Sequence, residues 1–182
     1  MATQNYEILV PGRNNAISVI FPNAASRGVA VSANTCANDE QVTGQLAGVS
    51  NPRLLGFLAR DITTAGGPTE HQILFGDNLE LPDKAGRETT LEQPELIAVE
   101  GAVYLEQSSN PIVTGTSLGV LLSLYNGKWK LAQSGEYAYG SLVGKPTPHD
   151  SDNLRCVIQV FDEPVLIGAG GLGSPLGLYL AA

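Results

Sequence analysis

Basic residues are scarce in this 182-residue chain, which has ten Lys and Arg residues against eighteen Asp and Glu residues. The formal net charge is −8 at pH 7 and the isoelectric point is about 4.6. Proteins that bind nucleic acids concentrate Lys and Arg on one surface, where these residues displace counterions from the phosphates. Because the basic residues here are few and scattered, we expect no nucleic-acid partner.

Cysteine and histidine are nearly absent as well. Cys36 and Cys156 are the only cysteines, and no C-x-x-C spacing exists, which excludes a zinc framework. The spacing leaves a disulfide possible, but we expect two buried free thiols. His71 and His149 lie in loop-like settings beside acidic residues, where a hydrolytic triad or a metal pair is conceivable. Since no G-x-S-x-G or H-E-x-x-H motif accompanies them, we expect surface histidines, no catalytic residue and no metal.

A secretory signal is also missing, because the N-terminus has neither a basic region nor an apolar stretch. We therefore expect the chain to be made and kept in a cytoplasm. The acid-rich stretch that contains Asp77, Glu80, Asp83 and Glu88 lacks the alternating ligands and turn glycine of a calcium loop. It is predicted to be a solvated loop.

Glycine is abundant, with 21 residues, while charged residues make up only 15% and hydrophobic residues 43%. Short apolar runs alternate with turn residues, which is typical of strands rather than helices. The sequence predicts a mainly β fold, a small antiparallel barrel or sandwich, with at most one short helix at 86–93. The predicted parts are an extended N-terminal arm with the first strands (1–35), a β domain (36–163) with an acidic loop (77–106), and an apolar, glycine-rich C-terminal tail (164–182).

The clearest local signal is Asn126-Gly127 between two alternating runs, which predicts a two-residue type I′ hairpin. In the register that this turn requires, Leu124 lies opposite Trp129 on an apolar face, and Ser123 lies opposite Lys130 on a solvent face. Two further strands are predicted at 137–143 and 154–160, with a loop at 145–148. Trp129, Tyr137 and Tyr139 are predicted to pack in the core, the alternative being a platform for a sugar or a base.

The C-terminal segment 164–182 reads PVLIGAGGLGSPLGLYLAA, in which Gly168, Gly170 and Gly173 satisfy G-x-G-x-x-G after an apolar strand. It resembles the first strand and glycine loop of the adenylating enzymes that activate ubiquitin-like and sulfur-carrier proteins. That resemblance implies nucleotide binding, which also needs a second strand and an acidic residue about 20 positions further on. Because the sequence ends at Ala182, we expect no cofactor and a tail that docks on a neighbour, the alternative being a tail that packs on its own domain.

A membrane-spanning tail is a further alternative, since the nineteen residues 164–182 carry no charge and a span needs about 20. Five glycines and two prolines weaken a helix in this segment. Acidic residues, Asp162 and Glu163, precede the segment where basic residues flank most membrane spans. We therefore expect no membrane partner.

The segment 126–140, NGKWKLAQSGEYAYG, resembles the small β-barrel decoration, or cement, proteins of tailed-bacteriophage capsids, and 55–59, LGFLA, resembles an earlier strand of theirs. The resemblance implies a non-enzymatic homotrimer on the capsid exterior that binds the major capsid protein and clamps coat subunits. The expected contact surfaces are residues 4–22, by strand addition, and 164–182. Alternatives are an adenylating-enzyme fragment, a fibre or tail protein, and a carbohydrate-binding module.

Overall fold

Eleven β-strands and no helix occur in the part of the chain that this computed structural model describes, residues 5–12, 17–21, 24–37, 41–51, 53–62, 87–148 and 154–168. The predicted mainly β, antiparallel architecture is therefore confirmed. In chain order the strands are β1 (Tyr6–Val10), β2 (Ile17–Phe21), β3 (Ala30–Ala37), β4 (Gln41–Leu46), β5 (Leu54–Leu58), β6 (Arg87–Glu92), β7 (Leu96–Glu100), β8 (Leu121–Tyr125), β9 (Lys128–Leu131), β10 (Tyr137–Pro148) and β11 (Leu154–Leu166).

Six of the strands form one antiparallel sheet in the order β1-β7-β11-β10-β8-β9. The long strands β10 and β11 occupy its centre, and β1 and β9 are its two edges. Strand β1 reaches its place by pairing with β7, with Tyr6 opposite Val99 and Ile8 opposite Ile97. The N-terminal and C-terminal halves of the described chain therefore share this sheet.

The other five strands close into a small barrel in the order β2-β4-β3-β5-β6. Its longest ladders are antiparallel, β3 with β4 and β2 with β6. The barrel closes between β2 and β4, which run parallel and share the single pair Ile20 and Thr43. A closed barrel leaves no open sheet edge of its own.

One hydrophobic core lies between the barrel and the inner face of the sheet. The Trp129 ring, 1% exposed, stacks on Phe57 of the barrel with the ring centroids 6.1 Å apart. Tyr6 of β1 packs beside both Phe57 and Tyr104, at 6.2 and 6.0 Å between centroids. The predicted core position of Trp129 is confirmed, and Tyr139 is also fully buried.

The predicted hairpin is confirmed in its register. Leu124 pairs with Trp129 and Ser123 with Lys130, and both turn residues have positive φ, 50° at Asn126 and 76° at Gly127. The prediction that the Ser123 and Lys130 face is exposed to solvent is wrong, because these side chains are 0% and 2% exposed. The outer face of the sheet carries a second buried cluster here, made of Leu121, Ala132, Ala138 and Ile167 with Phe161 against it.

Two local expectations differ from the structure. Where the sequence allows at most one short helix, at 86–93, residues 87–92 form strand β6, which pairs with β2 from Arg87 to Leu91, and the adjacent Thr89 and Thr90 favour that extended form. The loop predicted at 145–148 belongs to β10, which continues to Pro148. Its register with β11 shifts between Gly144 and Thr147, and Pro146 falls within that irregularity, where a missing N–H breaks no regular ladder bond.

The segments predicted as the arm with the first strands, the acidic loop and the tail are described only in part. Residues 6–10 lie in the sheet with Tyr6 in the core, and 17–21 lie in the barrel, so the described part of the arm belongs to the domain. Within 77–106, residues 87–92 and 96–100 are strands, and 77–86 lie outside the described residues. Strand β11 runs past the predicted boundary at 164 to Leu166. Residues 169–182 are not among those described.

Candidate functional site

Strand β1 presents an apolar sheet edge. Leu9 and Val10 are 39% and 40% exposed, and the strand contains neither Lys nor Pro. Its pairing with β7 is regular from Tyr6 to Ile8 and shifts only between Ile8 and Val10. Its one charged residue is Glu7, whose Oε2 accepts a 2.8 Å hydrogen bond from Arg155 Nη2 and forms an ion pair with it. Soluble proteins usually protect such edges with lysines, prolines or bulges, and of these β1 has only the register shift at Leu9. Because no other described strand pairs with its outer side, β1 is a candidate for strand addition.

Beyond the end of β1, a groove of about 310 Å³ opens between the barrel and the sheet. It forms because the pairing of β5 with β6 ends at Phe57 and Glu92, and the next residues are Gln93 and Pro94. Pro94 has no N–H with which to continue the ladder. The Gln93 side chain takes over, and its Nε2 donates a 2.9 Å hydrogen bond to the Leu55 carbonyl.

Two glycines make this junction possible. At Gly12, which follows β1, an added Cβ would overlap the Gln93 carbonyl oxygen, so only glycine fits. Gly56 of β5 has φ of +151°, and a Cβ there would lie 2.5 Å from the Glu92 carbonyl oxygen. These close backbone approaches hold β1, β5 and the Gln93-Pro94 segment together at the floor of the groove.

The opposite wall of the groove is a bulge in β11. Between the pairs formed by Gly140 with Val160 and Ala138 with Val165, four residues of β11 face a single residue of β10. On the other side of β11, the pairing with β7 ends at Gln159, followed by one hydrogen bond from the Val160 N–H to the Glu95 carbonyl. The segment 161–164 therefore leaves both neighbouring ladders, and bulges of this kind re-aim side chains beside binding sites.

The groove combines an apolar floor with an acidic rim. Leu54, Val160 and Phe161 are partly exposed and contribute apolar surface, while Asp162 and Glu163 are exposed on the bulge, and none of the described lining residues is basic. Gln93 contributes a buried Oε1 atom that has no hydrogen-bond partner among the described groups. The sequence analysis did not predict this site. Two features of the sequence indicate it: the Gln93-Pro94 pair after a strand, and two adjacent acidic residues inside an apolar strand.

The glycine motif is only partly described. Gly168 follows β11 directly and is exposed, and its carbonyl accepts a 3.2 Å hydrogen bond from Ser134 Oγ. Ile167 before it is buried and exchanges 2.9 Å backbone bonds with Gly135 and Glu136. Gly170 and Gly173 lie outside the described residues. The strand before the glycine loop of a dinucleotide fold belongs to a parallel sheet. Strand β11 is antiparallel to both neighbours, so the local geometry does not favour a nucleotide cradle.

A buried ion pair lies on the outer face of the sheet. Lys130 Nζ donates to both carboxylate oxygens of Glu136, at 2.7 and 2.9 Å, and the Gln133 N–H donates to Glu136 Oε2 at 2.9 Å. The side chains are 2% and 14% exposed. A buried charge is tolerated only when it is paired and hydrogen-bonded, and Glu136 meets that need for Lys130.

A second polar cluster lies where β1 meets the barrel. The Arg27 guanidinium lies 5.5 Å from the centre of the Tyr6 ring, and Tyr104 donates a 2.7 Å hydrogen bond to the Arg27 carbonyl. Burial raises the pKa of the Tyr6 hydroxyl, and the nearby Glu92 charge raises it further. Burial also raises the pKa of Glu92, which Arg27 partly opposes. These contacts join β1 to the barrel.

The remaining predicted residues fall in the interior or outside the described residues. Cys156 is a free, buried thiol whose pKa is raised to about 12 by burial, and nothing is described of the Cys36 side chain. His71 and His149 lie outside the described residues. Within the described ranges, no three His, Cys, Asp or Glu side chains are placed to hold a metal. The same part of the chain has no helix with the length and apolar character to cross a membrane.

Comparison of the sequence with protein-family models found no match, and neither did comparison with curated proteins. Function is therefore inferred from the surface and the interior of the chain itself.

Proposed function

We propose that this protein is a structural component of a virion, which binds the outer surface of a tailed-bacteriophage capsid as a homotrimer and clamps neighbouring major capsid protein subunits without catalysis. The observation that carries the proposal is the edge strand β1, where Leu9 and Val10 are exposed and no other described strand pairs with the outer side. A strand from a coat subunit adds to this edge through backbone hydrogen bonds.

A five-residue edge is only part of the required contact, since a stable interface buries about 1,200–2,000 Å² in total. The end of β11 supplies a second apolar region, where Val165 and Leu166 are 41% and 54% exposed. These two regions lie within the segments 4–22 and 164–182 that the sequence predicts as contact surfaces. If β1 binds one coat subunit and the end of β11 binds its neighbour, the protein holds the two subunits together.

The resemblance to decoration proteins supports the proposal at one further point. Its longer segment, 126–140, contains the hairpin turn, strand β9 and the start of β10. In this segment the Gly127 N–H donates a 2.7 Å bond to Ala47 of the barrel side, and Tyr139 donates a 2.6 Å bond to the Gly48 carbonyl. The glycines and aromatics that create the resemblance thus join the sheet to the barrel, a scaffold role that suits an assembly protein.

Co-sedimentation tests the proposal. The full chain is expressed with the coat protein encoded beside its gene, and the shells are sedimented through sucrose. We expect the protein to travel with the shells and, when free, to have the mass of a trimer by light scattering. Protein that stays in the supernatant and is missing from purified virions would refute the capsid role, and a ring of six or an open polymer would indicate a tail component.

Two lysine variants test the contact strand. Leu9→Lys places a charge on the β1 edge and is expected to abolish co-sedimentation, because edge lysines oppose strand addition. Val113→Lys is the matched control, since Val113 is 53% exposed on the loop before β8 and lies outside the proposed contacts. Equal shell binding by both variants would show that β1 is not the contact.

A further inference from the structure

We propose that the groove between β5 and the β11 bulge is a binding site for an extended, cationic segment of a partner protein. The inference goes beyond the capsid role, because it assigns a second surface and the chemistry of what binds there. Three independent features of the groove support it: its charge, its unused hydrogen-bonding capacity and its shape.

The charge of the rim selects a basic partner. Asp162 and Glu163 are adjacent and exposed, and the described residues that line the groove include no Lys or Arg. A second copy of this chain has a net charge of −8, which disfavours its binding at this acidic rim, so the proposed trimer contacts lie on other faces. Nucleic acids and anionic membranes are excluded as occupants for the same reason. The occupant is therefore a protein segment that carries at least one Lys or Arg side chain.

One buried atom of the groove has no hydrogen-bond partner among the described groups, and the bulge lies outside the regular ladders. Residues 161–164 of β11 fall in the register shift with β10, and the register with β7 ends before them. The buried Oε1 of Gln93 lies on the same groove without a partner among the described groups. A strand-like peptide offers N–H and C=O groups at regular spacing, so it can satisfy these groups while its alternate side chains point to the floor and to the rim.

The shape of the groove fits one such strand. Gly12 and Gly56 keep the floor free of side chains where the backbone segments cross, and the partly exposed Leu54, Val160 and Phe161 give it apolar surface. The volume of about 310 Å³ is at the lower limit of ligand pockets and holds a few side chains rather than a folded element. An occupant with alternating apolar and basic residues places its apolar side chains on this floor and its cations beside Asp162 and Glu163.

The test uses the ¹⁵N-labelled full chain and two synthetic peptides, acetyl-Thr-Lys-Val-Lys-Thr-amide and the same peptide with Glu in place of both Lys. We expect the Lys peptide to shift the amide signals of Gly12, Gly56 and Phe161 at low salt, and to be released at 0.5 M NaCl. Stronger or equal binding of the Glu peptide would overturn the proposal, as would shifts confined to other surfaces.

Isosteric variants test whether the acidic rim of the groove binds the Lys peptide. Asp162→Asn combined with Glu163→Gln is expected to weaken the Lys peptide about fivefold, the range for two exposed ion pairs. Asp61→Asn is the matched control, because Asp61 is also exposed and its Oδ1, which accepts a 2.7 Å bond from the Arg27 N–H, has a counterpart in Asn. If Asp61→Asn weakens binding of the Lys peptide by the same factor, the effect comes from the net charge of the protein, and the proposed site is refuted. Peptide binding without shell binding would refute only the capsid role, and the reverse result would refute only the groove.

Discussion

Gly127→Ala should cost much more stability than the same change at Gly135. Both glycines have positive φ, 76° and 83°, which costs an L-residue about 1–2 kcal/mol. Alanine recovers about 0.4–1 kcal/mol by restricting the unfolded chain. At Gly135 a new Cβ meets nothing within 4 Å, so the net loss there should be about 1 kcal/mol.

The surroundings of Gly127 add a packing cost. A Cβ there would lie 2.5 Å from Val29 Cγ1 and 3.1 Å from the Ala30 carbonyl oxygen, so the turn or the barrel must shift. Overpacking of this kind costs about 1–3 kcal/mol, which raises the total loss to about 2–4 kcal/mol. The shift also strains the 2.7 Å bond from the Gly127 N–H to the Ala47 carbonyl.

Urea unfolding, followed by tryptophan fluorescence, measures both variants, since Trp129 is the only tryptophan and lies in the shared core. We expect a lower midpoint with an unchanged m-value in each variant, and a thermal midpoint for Gly127→Ala about 6–12 °C below that of the wild type. If the two variants agree within about 0.5 kcal/mol, the contact between the hairpin turn and the barrel does not stabilise the fold.

Three further predictions concern the interior. Lys130→Met should destabilise by about 3 kcal/mol because it leaves the Glu136 carboxylate buried without its cation, and adding Glu136→Met should restore much of the loss in urea unfolding. Cys156 should react with a thiol reagent at pH 8 only as fast as the protein unfolds, since burial raises its pKa to about 12, and fast labelling of the peptide that contains it would contradict this. Burial raises the pKa of Tyr139 to about 12, so its contribution to stability is present below about pH 10 and is lost as the pH rises toward 12. The loss of stability with pH should therefore be shallower in Tyr139→Phe, and an unchanged slope would assign it to other groups.

Local features were predictable where one short segment determines them. The Asn126-Gly127 turn requires positive φ at both residues, which sets the pairing of Leu124 with Trp129, and alternation sets which of those residues enters the core. The strand with Cys156 and Ile158 on its buried face follows from the same alternation.

Features that depend on distant partners were not predictable. The charge of Lys130 predicts that its side of the hairpin faces solvent. In the structure the side chain is buried, because Glu136, six positions later, pairs with the charge. Pro146 indicates a loop, yet the register shift beside it keeps β10 paired. The groove needs Gly12, Gly56, Gln93 and the β11 bulge together, and no local pattern relates these segments.

The order in which the strands pair has a consequence for synthesis on the ribosome. Strand β1 pairs with β7, and the long ladder of β2 is with β6, while its contact with β4 is the single pair of Ile20 and Thr43. The first strands to emerge therefore lack their main described partners until residues 87–100 have been made. Strands β8 and β9 are joined by a two-residue turn and pair with each other at once. Pairing across long stretches of sequence is slow, and unpaired apolar strands associate with other chains meanwhile. Nascent chains of this protein should therefore be most prone to aggregation before β6 and β7 emerge.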